Sequence, residues 1–296
     1  MLTTMRTIMV SAPVLLALAA LGWGGNTIAA RLAVNELSPM FLVSARWLIV
    51  ASIVLTLYNR QIIKTLYDLR RRWFWLIMMG FGLSGFNIMF YLAAYSTSAI
   101  NLGLIQSTIP AVIMAMGLIV LRTPVTLLQL TGLIVAMGGA MVVISKGSLA
   151  VIISLTFNHG DLIMLVGCCC YAGYTLGLTR RPPVDSIIMM GVLAIFALLA
   201  SLPFTIAEAV MGGFFFTGGE SWLVLLYVAI VPSFLSQVWF MIGVDKIGSS
   251  KAGMFTNLVP VFSALLGVSI LRETLGFYHL LSLGLVFTGL YIAQRR

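Results

Sequence analysis

The side chains able to do chemistry in this chain are polar and aromatic residues set inside long apolar runs. Arg46 stands first among them. It is the one charge well inside such a run, seven residues past Pro39, or about 10 Å along a helix at 1.5 Å per residue. Charge within a membrane is costly and marks a functional site by default. Two readings stay open for it. Arg46 attracts a carboxylate or other anionic group of a solute, or it caps backbone carbonyls and reaches the interface along its long stem.

Other candidates recur at helical spacing. Asn87, Tyr91 and Tyr95 stand four residues apart and share one helix face. Trp23 and Asn26 stand three apart, Tyr171 and Tyr174 share one apolar run, and Ser236, Gln237 and Trp239 share another. Gln106 and Ser107 precede Pro110, and Asn257 precedes Pro260 by the same three residues that separate Ser107 from Pro110. In hydrocarbon each polar group needs a partner, so these residues should face the interior of a helix bundle. Hydrogen bonds between helices account for part of them, and the rest should line a cavity for a permeating solute. With Arg46, all but Ser236 form the expected solute-binding set. Pro110 and Pro260 leave a carbonyl free one turn back, near Gln106 and Thr256, and are expected hinges beside that cavity.

Patterns for catalysis are missing. The sequence has no HExxH, no G-x-S-x-G and no G-x-x-x-x-G-K, and His159 and His279 fall near the ends of apolar runs, outside any ligand cluster. The eight acids, Glu36, Asp68, Asp161, Asp185, Glu208, Glu220, Asp245 and Glu273, all lie in or beside connections. Cys168, Cys169 and Cys170 are consecutive; neighbours on a helix point about 100° apart, so they read as packing residues rather than a metal site or a disulfide. No enzyme activity and no cofactor are expected.

The elements that carry these residues follow from composition. With 61% hydrophobic and 8% charged residues among 296, and a mean hydropathy of +1.10, the chain must meet lipid, since soluble chains carry roughly 25% charged residues. The net charge of +9 sits in short gaps between apolar runs, without the aromatic-interleaved basic face of a nucleic-acid binder. Ten segments of near-spanning length emerge, at about 12–33, 39–58, 74–95, 99–121, 125–145, 161–179, 186–207, 221–244, 252–271 and 277–294. A signal-peptide reading of the first fails because the apolar run continues past Ala17-Leu18-Ala19. The connection 146–160 has room for a short interfacial helix over Val151–Leu155. Gly132, Ala136 and Ala140, and Gly173 and Gly177, read as close helix packing.

The fourth segment organises the rest. Its Gly103, Pro110 and Gly117 return 150 residues later as Gly253, Pro260 and Gly267, and Arg122 pairs with Arg272 at the same offset. Gly24–Arg31 likewise aligns with Gly173–Arg180. Internal duplication follows, with repeats over 1–148 and 149–296. Five segments per repeat turn the second copy upside down, the inverted plan of many secondary transporters. The expected fold is therefore all-α and integral to the membrane, with ten transmembrane helices in two inverted five-helix repeats. Arg6, Arg60, Lys64, Arg70, Arg71, Arg72, Arg122, Arg180, Arg181, Lys246, Lys251, Arg295 and Arg296 fall on one side, against Arg31, Lys146 and Arg272 on the other. That bias places both termini in the cytoplasm. Such a chain needs no second subunit, so a monomer surrounded by lipid, moving a small molecule, is expected.

The stretch Asn257–Gln294, with its proline-bearing helix, the Leu271, Glu273 and Leu275 pattern and a glycine-bearing last helix, resembles the EamA-like ten-helix members of the drug/metabolite transporter superfamily. Pro39 followed by Arg46, and Ser107–Leu121, extend the likeness over nearly the whole chain. The resemblance implies a central cavity formed mainly by segments one, three, four, six, eight and nine. It also implies export of small metabolites, amino acids or their analogues foremost, across the cytoplasmic membrane by alternating access. It makes an arginine at the Arg46 position part of the general pattern, which favours the structural reading. Uptake or exchange of another class, such as a nucleoside-type metabolite or drug-like cation, and a non-transporting membrane protein are the alternatives. Two departures stand out. Thr123 occupies the place of Glu273 in the first repeat, and segment one lacks the embedded glutamate of the small multidrug-resistance relatives, which puts their proton exchange in doubt here.

Overall fold

The computed structural model describes residues 11–33, 36–97, 99–156, 158–270, 272 and 276–295. Arg6, Arg296, Leu271, Glu273 and Leu275 lie outside the described residues.

Ten helices are long and apolar enough to cross a membrane. Spans 1 to 5 are Ala12–Ala33, Pro39–Asp68, Trp73–Ala94, a broken span from Ala99 to Leu121, and Leu127–Ile144. Spans 6 and 7 are His159–Leu178 and Ser186–Val210, span 8 runs from Glu220 to Ile247, span 9 from Ser249 to Ile270, and span 10 is Phe277–Gln294. Large apolar side chains such as Leu57, Ile119, Leu127 and Phe277 are exposed on the outside of the bundle. That is the expected surface of a protein whose solvent is lipid rather than water.

Two boundaries differ from the sequence expectation. Span 2 continues past Tyr58 to Asp68, bending at Tyr58, whose φ of −134° and ψ of 33° leave the helical range. Arg60 and Lys64 thus ride on a helix rather than in a loop, since good helix formers extend a helix once packing has nucleated it. The short helix of the central connection is Leu149–Ile153, slightly earlier than Val151–Leu155, because Ser148 caps it by accepting the Val151 N–H.

Three spans are broken where the cavity lies. Span 4 consists of Ala99–Gln106, Ile109–Met116 and a π-turn over Gly117–Leu121. Span 8 carries a wider π-turn over Ala229–Leu235, with Pro232 inside it. Span 9 tightens into a 3-10 turn over Met254–Asn257 before Leu258–Ile270. Proline explains the first two, since it offers no N–H to the preceding turn. In span 8 the Ser233 hydroxyl donates to the Val228 carbonyl at 2.6 Å, so that carbonyl is not left bare in the bundle.

The inverted repeat is visible in the helix contacts. Spans 5 and 10 pack through Gly132 against Gly289 and Ala293, and through Gly139 against Ser282, Leu285 and Val286. A Cβ added at Gly132 would meet the Gly289 carbonyl at 2.5 Å, and one at Gly289 would meet the Gly132 carbonyl at 2.5 Å. A shift of 150 residues maps Gly132 onto Ser282 and Gly139 onto Gly289, so the two crossings exchange under the repeat operation. Spans 2 and 7 are another self-related pair, with Gly191 set against Val54 and Ile62. Arg122 and Arg272, repeat partners, both adopt the left-handed conformation, at φ 54° and 55°. The chain is an all-α bundle of two inverted five-helix repeats.

Candidate functional site

The central cavity, about 80 Å³, lies between spans 1, 2, 3, 4, 6, 8 and 9. Span 2 contributes through Arg46 and Trp47, in addition to the six segments that the family resemblance singled out. Eight of the sequence candidates line it together: Trp23, Asn26, Arg46, Asn87, Tyr91, Gln106, Tyr171 and Gln237.

Arg46 is 2% exposed. Its Nε donates to the Leu42 carbonyl at 3.4 Å, one terminal nitrogen to Asn87 Oδ1 at 3.2 Å and the other to the Tyr91 hydroxyl at 3.4 Å. The four-residue spacing of Asn87 and Tyr91 thus serves to hold one guanidinium. Asn87 completes its own bonding by donating from Nδ2 to Leu83 O at 3.3 Å. A guanidinium has five donors, and these long, neutral contacts leave it capable of more. Among the described residues, no acid lines the cavity. Both sequence readings of Arg46 therefore have a geometric basis, since it caps a carbonyl and also presents an uncompensated cation.

Further polar atoms are buried without a partner among the described residues: Asn26 Oδ1, the Tyr171 hydroxyl and Gln237 Oε1. A buried polar atom left unpaired costs about 1–3 kcal/mol, so three at one cavity indicate a place built to meet something polar. Gln106 also lines it, and its amide makes no hydrogen bond to any described residue.

The floor is aromatic. Trp23 and Tyr171 meet edge to face at 5.9 Å, Trp23 and Phe240 at 5.3 Å, and Tyr171 and Tyr174 at 5.7 Å. Trp23 Nε1 donates to the Pro232 carbonyl at 3.1 Å, tying span 1 to the π-turn of span 8. Beyond this floor the bundle is closed by buried Met241 and Leu176, and Arg181, in the turn after span 6, forms an ion pair with Asp245 of span 8.

Five candidates do not line the central cavity. Tyr95 is 75% exposed, because span 3 ends at Ala94 and the third member of the face falls beyond the helix. Trp239 lies two residues from Gln237, roughly 200° around the helix, and packs against the core instead. Tyr174, one turn past Tyr171, is buried beneath the floor at 1% exposure. Asn257 is fully buried in the 3-10 turn with both amide atoms unpaired. Ser107 lines a second pocket beside the first, together with Pro260, and donates to the Leu104 carbonyl at 2.7 Å. Pro110 is buried at the start of the second piece of span 4.

The cavity also includes Thr27, Phe86, Phe90, Pro232, Ser233 and Thr256, which the sequence reading did not place there. Pro232-Ser233 inside an apolar run was a readable signal of a helix break. Phe86 and Phe90 were not readable, because an aromatic side chain facing lipid and one facing a cavity have the same sequence.

On the face opposite the Arg181–Asp245 pair, the loop after span 1 is fastened to the loop before span 8. Ser38 N–H donates to Phe215 O at 3.0 Å and Thr217 N–H to Glu36 O at 2.9 Å. The Glu36 carboxylate accepts from the hydroxyls of Thr217 and Ser221. Those hydroxyls hold its pKa below the usual carboxylate value. Glu208 of span 7 accepts the Met40 and Phe41 N–H groups at 3.0 and 2.9 Å, capping span 2 from the other half of the chain.

Comparison with known proteins agrees with this architecture. The profile of the EamA-like transporter family matches residues 10–145 and again residues 158–294. "Uncharacterized transporter YyaM" of Bacillus subtilis (strain 168) is 29% identical over 199 residues, which cover 64% of this chain and 62% of that protein. This chain thus matches less than two thirds of that relative's length. "Uncharacterized transporter YetK" of the same organism is 25% identical over 272 residues, covering 91% of this chain and 82% of its own. An "Uncharacterized transporter" of Archaeoglobus fulgidus is 26% identical over 291 residues, covering 95% and 96%. A crystal structure with a TM-score of 0.79, 17% identity and 96% coverage of each chain shares the fold. Two matches to one family profile, one per five-helix half, make this chain a multi-pass membrane protein of the EamA-like transporter family.

Proposed function

We propose that this transporter exports small organic metabolites carrying a carboxylate, amino acids or their analogues, by alternating access through the central cavity. One observation carries the reading. Arg46 is buried at the cavity, held by the neutral groups of Asn87 and Tyr91, and no acid among the described residues shares the lining. An uncompensated buried cation favours an anionic partner, and a carboxylate fits the guanidinium fork. The same absence of acid disfavours a strongly cationic cargo.

Asn26 Oδ1 and Gln237 Oε1 are acceptors suited to an amino group, and the faces of Trp23 and Tyr171 add cation–π attraction. The Trp23–Tyr171–Phe240 floor closes one end and so serves as the gate of the conformation seen here. Placed by its basic residues in the cytoplasmic membrane with both termini inside, the chain has its closed end toward the cytoplasm, the state that releases an exported solute. Pro110 and Pro260, beside the breaks of spans 4 and 9, are the proposed hinges, and one chain with its lipids suffices.

The test is flux from proteoliposomes loaded with a labelled amino-acid mixture, with and without a pH gradient. Selective loss of one group of amino acids supports the reading, and dependence on the gradient would establish coupling. No movement under either condition removes the amino-acid assignment.

A further inference from the structure

The central cavity has a larger neighbour. A second pocket of about 230 Å³ lies beside it, between spans 4 and 5 of one half and spans 9 and 10 of the other. The two share Thr27, Gln106, Thr256 and Val259 as walls. Gln106 and Thr256 are repeat partners at the 150-residue offset, so the contact between the pockets lies where the two halves meet.

Its chemistry is graded. At the outer end stands Lys146, exposed, its ammonium without a partner among the described residues. Next to it His279, 3% exposed, has Nδ1 3.0 Å from both the N–H and the carbonyl of Gly276; in the tautomer that accepts the N–H, the ring proton sits on Nε2 as a donor. Deeper in lie Ser263 and Ser107, then Gln106, and beyond Gln106 the cavity of Arg46. Among the described residues, no acid lines either space. The nearby carboxylate of Asp161 is occupied by Thr97, Asn101 and the Asn158 N–H.

The alternative way out on the same face is fastened. Spans 1 and 2 are joined to spans 7 and 8 by the Leu37–Phe216 bridge, the Glu36 contacts with Thr217 and Ser221, and the Glu208 cap. We propose that the pocket under Lys146 is the vestibule through which an organic carboxylate reaches and leaves the Arg46 cavity. Lys146 and the His279 donor form an outer anion subsite, and Gln106 stands at the passage between the two spaces. This rests on the carboxylate reading of the central cavity, but it makes claims of its own about access and local charge.

The experiment reads access without any transport. Ser263→Cys is placed in a background with Cys168, Cys169 and Cys170 replaced by alanine, and its reaction with small thiol reagents of equal size, one anionic and one cationic, is timed in the full-length protein. Ala264→Cys serves as a second reporter on the same wall. Both thiols should react, the anionic reagent faster by about threefold or more at low salt, with the preference fading as salt rises. Lys146→Asn should abolish the preference; asparagine tolerates the left-handed backbone at Lys146, where φ is 54°. Arg272→Asn, with the same charge change and φ 55° but no place on the pocket wall, should leave it intact. Two inaccessible reporters, or a preference that ignores Lys146, overturn the vestibule. If the thiol pattern holds while no carboxylate is transported, the proposed function falls and the anion-selective vestibule stands.

Discussion

The two halves of this chain share a scaffold and differ in chemistry. Span 4 breaks after Gln106 and span 9 tightens at Met254–Asn257, at equivalent places of the 150-residue repeat. Both end in a left-handed arginine, Arg122 and Arg272. Yet the buried cation and its two neutral holders, Arg46, Asn87 and Tyr91, all come from the first half. The second half supplies Tyr171, the Pro232 turn and Gln237, without a charge on the cavity wall. The lesson is that duplication preserves the paired breaks of spans 4 and 9, while the π-turn of span 8 has no counterpart in the unbroken span 3 and the cavity surface is free to diverge. An inverted repeat therefore predicts where a site lies better than what it binds.

The largest expected effect falls on the half that carries charge. Arg46→Leu removes the cation and strands Asn87 and Tyr91, each unpaired group costing about 1–3 kcal/mol. Transport kcat/KM should fall about 100-fold, whereas Arg46→Lys, which loses the fork but keeps the charge, should cost about tenfold, mostly in KM.

The shared scaffold is next. Gly132→Leu and Gly289→Leu each drive a side chain into the other helix's backbone, so each should lower the thermal midpoint, by about 1–3 kcal/mol of stability or more. The two should match, because the crossing is reciprocal: each added Cβ would meet the other glycine's carbonyl at 2.5 Å. Gly138→Ala and Gly284→Ala, where a Cβ meets nothing within 4 Å, should leave the midpoint unchanged. Unequal losses at Gly132 and Gly289 would break the comparison.

Pro110→Ala and Pro260→Ala should slow turnover about threefold to tenfold without reducing membrane insertion. Pro110 should matter more, because span 4 is divided there into separate helices while Pro260 sits inside Leu258–Ile270. Normal turnover of both would remove the hinge assignment.

The smallest effect concerns the Glu36 fastening. Its pKa is lowered by the hydroxyls of Thr217 and Ser221, so its contribution is complete above the ordinary carboxylate pKa of about 4.3 and is lost as pH falls through the depressed folded value. Melting of Glu36→Gln and of the wild type should therefore differ slightly near neutral pH and converge in acid. A difference that persists unchanged at low pH contradicts the charge-based account.

Much of the fold was legible because a membrane demands continuous apolar runs, and span 10 matches its expected 277–294 limits. The extension of span 2 to Asp68 was not, since polar residues beyond Tyr58 look like a loop once the apolar run ends. The break of span 8 was marked by Pro232-Ser233, but its link to span 1 was not legible, because it depends on a tertiary partner, the Trp23 indole on the Pro232 carbonyl. At the cavity, polar residues in apolar spans stood out, as Arg46, Asn87 and Tyr91 did. Direction around a helix was harder to read. Trp239 and Tyr95 were grouped with cavity residues by type, but one points to the core and the other lies past a helix end.

The central claim is that a substrate carboxylate meets Arg46. The most direct measurement is competitive uptake into proteoliposomes of a labelled amino acid that the protein moves, against its own carboxamide, in wild type and in Arg46→Lys. The account predicts that the acid competes and the amide does not, and that Arg46→Lys weakens the acid alone. Equal competition by acid and amide, unaffected by Arg46→Lys, would contradict it.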